Sequence, residues 1–147
     1  MRPITILMAD DDPLDRMLTQ EAFLESRSIN PLYFVENGEE LLKYLRRDPP
    51  YTPTEHPFPD LILLDLNMPK KDGRDCLIEI KNDPELRHLP IIVLTTSNRE
   101  EEVFRSYNLG ASSFISKPVD FEKLVSQIKV FNSYWCSIVE LPDVNEQ

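Results

Sequence analysis

The sequence predicts an α/β fold: a parallel β-sheet with helices on both faces. Short runs rich in β-branched and aliphatic residues recur at 4–9, 32–35, 61–64, 91–94 and 113–115. Segments of helical period separate them, and strands alternating with helices favour a parallel sheet built from crossover units. The run Leu61-Ile62-Leu63-Leu64 is apolar without alternation, as a strand covered on both sides requires. With 147 residues the chain is the size of one domain and needs no disulfide framework to bury a core.

The elements carry their own start and stop signals. After the first strand come Asp10, Asp11 and Asp12; Asp12 can cap a helix that has Pro13 at its first position and Asp15 just behind. Leu14, Met17, Leu18 and Ala22 then fall on one predicted helical face. Asn37 with Glu40 forms a capping pattern before Leu41, Leu42 and Leu45. Pro49, Pro50, Pro53, Pro57 and Pro59 crowd the stretch between Asp48 and Asp60, which reads as a stiff, exposed loop. A third helix ends near Asn82, before Asp83-Pro84. Ser97 with Glu100 opens a fourth helix carrying Val103, Phe104 and Tyr107, stopped by Gly110. Asp120 can cap a fifth, whose Phe121, Leu124, Val125, Ile128 and Trp135 share a stripe. The expected division is a domain over 1–136 and a tail over 137–147.

Charge excludes several function classes. Asp and Glu number 26 against 16 Lys and Arg, a net charge of −10. Nucleic acids and anionic membranes are recognised largely through Lys and Arg, so neither is an expected partner. No apolar run approaches the ~18 residues of a membrane span, and no cleavable leader pattern is visible. Cys76 and Cys136 are far apart and sit in no paired motif, which reads as two reduced thiols in a cytoplasmic protein. His56 and His88 are isolated and read as loop residues rather than zinc ligands.

In an open parallel sheet, ligands bind beyond the carboxyl ends of the strands. Those ends carry Asp10-Asp11-Asp12, Asp65-Leu66-Asn67-Met68-Pro69, Thr95-Thr96 and Lys117-Pro118. If the first, third, fourth and fifth strands are adjacent, carboxylates, a hydroxyl and an ammonium meet in one crevice. Two carboxylates ~4 Å apart repel by roughly 4 kcal/mol at an effective dielectric of 20, so such a cluster calls for a cation. Oxygen ligands with open positions suit Mg²⁺, which points to phosphoryl chemistry rather than redox or zinc chemistry. Asp12, directly before Pro13, reads as a helix cap rather than a ligand.

From residue 4 to residue 135 the sequence resembles the receiver domain of two-component response regulators. The matching pieces are Ile6-Leu7-Met8-Ala9-Asp10-Asp11-Asp12, Leu63-Leu64-Asp65-Leu66-Asn67-Met68-Pro69, Lys71-Asp72-Gly73, Leu94-Thr95-Thr96-Ser97 and the segment from Gly110 to Pro118. Each is weak alone; their order and their placement at strand ends are specific. The resemblance implies a flavodoxin-like, doubly wound five-stranded sheet of order 2-1-3-4-5. It implies that Asp65 is the phosphoacceptor, that Asp11 and Asp65 bind Mg²⁺ directly and Asp10 through water, and that Asn67 offers its backbone carbonyl. Mn²⁺ or Ca²⁺ would substitute. Lys117 would pair with Asp65 and then with the phosphoryl group, and Thr95 would donate its hydroxyl to it. Thr95 and Phe114 would form the switch toward the face made by the fourth helix, fifth strand and fifth helix. A cis peptide would join Lys117 and Pro118.

The dense aromatic and aliphatic stretch from Phe131 to Pro142, the proline-rich loop and the run Pro69-Lys70-Lys71-Asp72-Gly73-Arg74 narrow the resemblance. They are similar to the small single-domain regulators paired with bacterial and cyanobacterial phytochromes. This implies a sensor histidine kinase of phytochrome type as partner, and a homodimer through the fourth-helix, fifth-strand, fifth-helix face and the aromatic C-terminal segment. Only residues 136–147 follow Trp135, so no output domain is expected. The alternatives are a regulator of a non-photoreceptor kinase, a phosphorelay intermediate, or a scaffold that is no longer phosphorylated, the last opposed by the intact acid, Thr and Lys set. An aspartyl phosphatase wants a second Asp two residues after its nucleophile, and Asn67 stands there. A flavin carrier would cradle phosphate in its first loop, where Asp10, Asp11 and Asp12 repel it. The expected chemistry is therefore self-catalysed phosphotransfer and autodephosphorylation, without turnover of an external substrate.

Overall fold

The computed structural model describes residues 4–25, 30–95, 110, 113–116 and 126, with main chain only at 94–95 and 113–116. In chain order these residues form β1 (Ile6–Ala9), α1 (Pro13–Glu25), β2 (Leu32–Val35), α2 (Gly38–Leu45), β3 (Leu61–Leu64), α3 (Gly73–Asn82), β4 (Ile91–Thr95) and β5 (Ser113–Ser116). All strand pairs are parallel, and the sheet runs β2-β1-β3-β4-β5, the order expected. The order reverses between β1 and β3, so a crevice opens where both end.

Side chains alternate across the sheet and bury both faces. Leu7, Ala9, Ile62, Leu64, Ile91 and Val93 join Leu41, Leu45, Leu77 and Ile80 of α2 and α3. Ile6, Met8, Leu61, Leu63 and Ile92 face the other way, onto Ala22 and Phe23 of α1. Each such large side chain contributes about 1.5–3 kcal/mol relative to exposure. The caps at Asn37 and Asp72 fix two helix starts: Asn37 accepts the Glu40 N–H at 2.9 Å and Asp72 accepts the Arg74 N–H at 2.7 Å.

Four local expectations are corrected. The first strand begins at Ile6 rather than Ile4, because the Ile4 and Thr5 N–H groups donate to side chains, Asn30 Oδ1 and Asp60 Oδ2, both at 2.9 Å. The buried face of α1 is Thr19, Ala22 and Phe23, while Leu14 and Met17 are half exposed. Thr19 tolerates burial because its hydroxyl donates to the Asp15 carbonyl at 2.8 Å. β4 and β5 extend to Thr95 and Ser116. The proline-rich loop is exposed at 48–50 and 52–55 but docks elsewhere: Tyr51 and Phe58 pack on the core, and Tyr44 Oη donates to the Pro57 carbonyl at 2.8 Å. His56 sits edge-on to Tyr44 and Tyr51 in that loop.

The expected fourth helix, the expected fifth helix apart from Ser126, the C-terminal segment, Cys136, Lys117 and Pro118 lie outside the described residues. Among the described residues, no helix is long and apolar enough to cross a membrane. Cys76 is fully buried against the Gly38 carbonyl, and burial pushes its thiol up to about 12 against an opposing pull from Lys71. The native protein is therefore expected to leave Cys76 unmodified by iodoacetamide at about pH 8, where a free thiol is already partly ionised. Peptide mapping should find the label at Cys76 only after denaturation; label at Cys76 on the folded chain would contradict this burial.

Candidate functional site

β1 and β3 are neighbours with Ala9 opposite Leu64, so Asp10 and Asp65 emerge side by side. The pairing continues one step further: the Asp65 N–H donates to the Ala9 carbonyl at 3.0 Å, and the Asp10 N–H to the Val35 carbonyl at 3.1 Å. Asp10, Asp11 and Asp65 bring one carboxylate oxygen each to within 4.8 Å of one another. Asp10 and Asp65 are buried and Asp11 is exposed, so the cluster opens to water on one side.

Short-range hydrogen bonds hold each acidic turn. Asp10 Oδ1 accepts the Asp12 N–H at 3.0 Å, and Asp12 Oδ1 accepts the Leu14 N–H at 2.9 Å, which caps α1 as expected. Asp65 Oδ1 accepts the Asn67 N–H at 3.0 Å. Arg16 Nη1 donates to the Asp10 carbonyl at 2.6 Å.

The other wall is the start of α3. The Gly73 N–H donates to the Leu66 carbonyl at 3.0 Å. A Cβ at Gly73 would stand 2.5 Å from the Asp65 carbonyl oxygen and 2.7 Å from Leu66 Cα, both main chain. The helix can approach the Asp65 turn this closely only because residue 73 has no side chain. Gly73→Ala is expected to cost about 1–3 kcal/mol by overpacking and to displace Asp65. Urea denaturation reads the first effect and Mn²⁺ affinity the second; an unchanged midpoint would contradict the close approach.

Three clustered carboxylates repel one another, each pair by roughly 3 kcal/mol at an effective dielectric of 20. An all-oxygen donor set with one open side fits a hard divalent cation better than zinc or copper. The structure thus brings together Asp10, Asp11 and Asp65. Asn67 lies at the same loop, two residues past Asp65, with its side chain exposed. Thr95 is the last residue of β4 and pairs with Ser116, while Phe114 pairs with Val93; their main chain reaches the same sheet end, and their side chains lie outside the description. Two residues to which the sequence reading gave no role in the site prove to shape it: Gly73, part of the matching run Lys71-Asp72-Gly73, by close approach and Arg16 by its bond to Asp10. The hint for Arg16 was a cation in the first turn of a helix, where the dipole disfavours it.

The family model of the response regulator receiver domain matches residues 6–129. This chain belongs to the response regulator receiver family. The receiver is 37% identical over 140 residues to response regulator Rcp1 of Synechocystis sp., covering 95% of this chain and 94% of that protein. It is 39% identical to the phosphorylated cyanobacterial phytochrome response regulator RcpA, whose crystal structure superposes with a TM-score of 0.87 over 97% of this chain and 100% of that one. The Mn²⁺-bound form of Rcp1 superposes with a TM-score of 0.85 at 37% identity, over 96% of this chain and 100% of that one. The acidic trio of this receiver therefore lies in a fold that has been seen with a divalent cation bound.

Proposed function

We propose that this receiver is a single-domain, cytoplasmic signalling switch that takes a phosphoryl group from a sensor histidine kinase of phytochrome type onto Asp65. The observation that carries the reading is the convergence of Asp10, Asp11 and Asp65 within 4.8 Å at the strand-order reversal. The likeness to RcpA and Rcp1 supports the phytochrome partner and the cation.

The Asp65 main chain is fixed by Ala9, and its Oδ1 is oriented by the Asn67 N–H. Its other oxygen attacks phosphorus; the new O–P bond forms as the N–P bond of a phosphohistidine breaks and the electron pair returns to the imidazole. Asp11 and Asp65 would hold Mg²⁺ directly, Asp10 through water and Asn67 by its backbone carbonyl. Bound there, Mg²⁺ supplies positive charge against the phosphoryl oxygens. Lys117 adds a second positive charge and Thr95 a hydroxyl donor. Phosphorylation adds roughly two negative charges and strong acceptors. Thr95 moves toward them, Phe114 follows, and the face of the fourth helix, β5 and the fifth helix changes for partner binding. The same face, with the aromatic C-terminal segment, forms the homodimer.

Incubation with acetyl phosphate tests the reading. With Mg²⁺, intact mass should rise by one phosphoryl group, stable in acid and lost in alkali; with EDTA it should not rise. No adduct, or an adduct indifferent to the cation, would reject it.

A further inference from the structure

Arg16 contradicts its local setting. It closes the first turn of α1, where the helix dipole opposes a positive charge. Helical side chains lean toward the N-terminus, which carries its guanidinium back over the turn it has just left. There Nη1 donates to the Asp10 carbonyl at 2.6 Å, while the Arg16 main-chain N–H donates to the Asp12 carbonyl at 3.1 Å. One residue therefore fastens the acidic turn at both ends, with Asp11 between the two points. The Asp10 carbonyl belongs to the rigid peptide plane that leads into Asp11. Holding that oxygen sets the plane, and the plane sets the direction in which the exposed Asp11 carboxylate leaves the chain.

We propose that Arg16 is a positioning residue for the divalent cation, orienting Asp11 through the Asp10 carbonyl without touching the cation. This rests on reading the acidic trio as a cation site. Position and charge make opposite predictions here. Removing a nearby positive charge tightens cation binding, whereas releasing the turn weakens it.

Mn²⁺ titration followed by electron paramagnetic resonance separates the two, applied to the wild type, Arg16→Met and Arg16→Lys with folding checked by circular dichroism. Methionine keeps the aliphatic stem and removes both charge and donor. Arg16→Met is expected to bind Mn²⁺ roughly ten- to a hundred-fold more weakly, the size typical of lost outer-shell support. Arg16→Lys restores a donor and should recover part of the loss. Equal or tighter binding by Arg16→Met overturns the proposal, as does a loss that lysine leaves untouched. A wild type that binds no Mn²⁺ overturns the cation reading itself; a wild type that binds, with an unaffected Arg16→Met, overturns only the role of Arg16.

Discussion

Asp65→Asn is expected to take up no phosphoryl group from acetyl phosphate at any Mg²⁺ concentration, while keeping its fold. The amide preserves the shape and can still accept the Asn67 N–H, but it is neutral and a poor nucleophile. Asp10, Asp11 and Asp12 lie close by and do not replace it. Asp10 is fully buried with Oδ1 committed to the Asp12 N–H, and Asp12 is committed to capping α1. Asp11 is exposed and, in the function proposed above, serves the cation rather than phosphorus. Asp11→Asn and Asp10→Asn should therefore still label at position 65, only more slowly, by about 10²–10³-fold where charge stabilisation at the phosphoryl group is lost. The measurement is an intact-mass time course on all three variants. Full labelling of Asp65→Asn would move the acceptor elsewhere.

What was legible in the sequence follows from burial. Leu61-Ile62-Leu63-Leu64 is covered on both faces, so its composition alone marks β3 and its limits. Residues 4–5 look like strand because β-branched residues suit extended chain, but composition does not say whether an N–H finds a neighbouring strand or the side chains of Asn30 and Asp60. α1 offers two overlapping faces, and apolar count favours the wrong one; burial of Thr19 depends on a hydroxyl bond that hydropathy does not register. The prolines reveal the stiffness of the 48–60 loop, not its docking, which needs Tyr44 to meet a carbonyl thirteen residues away. The carboxylates were visible because they follow strands. The role of Arg16 was not, because its partner is a main-chain oxygen, which every residue has.

Asp11→Asn is expected to raise the stability of the cation-free protein while weakening cation binding. Repulsion between carboxylate oxygens within 4.8 Å amounts to roughly 3 kcal/mol per pair at an effective dielectric of 20. Asp11 faces water, which screens most of that, so the gain on neutralising it is about 1 kcal/mol. For a chain of this size that is a rise in Tm of about 3–5 °C. Mg²⁺ acts in the opposite sense, because a ligand that binds only the folded state stabilises it: about 2.7 kcal/mol at a concentration of 100 Kd. If Asp11 is the direct ligand proposed above, the variant receives little of this. The two proteins should thus exchange order, the variant melting higher in EDTA and the wild type higher in saturating Mg²⁺. Thermal unfolding followed by circular dichroism in the two buffers decides it. A variant that melts lower than wild type in EDTA would mean that Asp11 contributes more to the fold of its turn than its charge costs. The acidic cluster would then be structural in origin, rather than strain that a bound cation relieves.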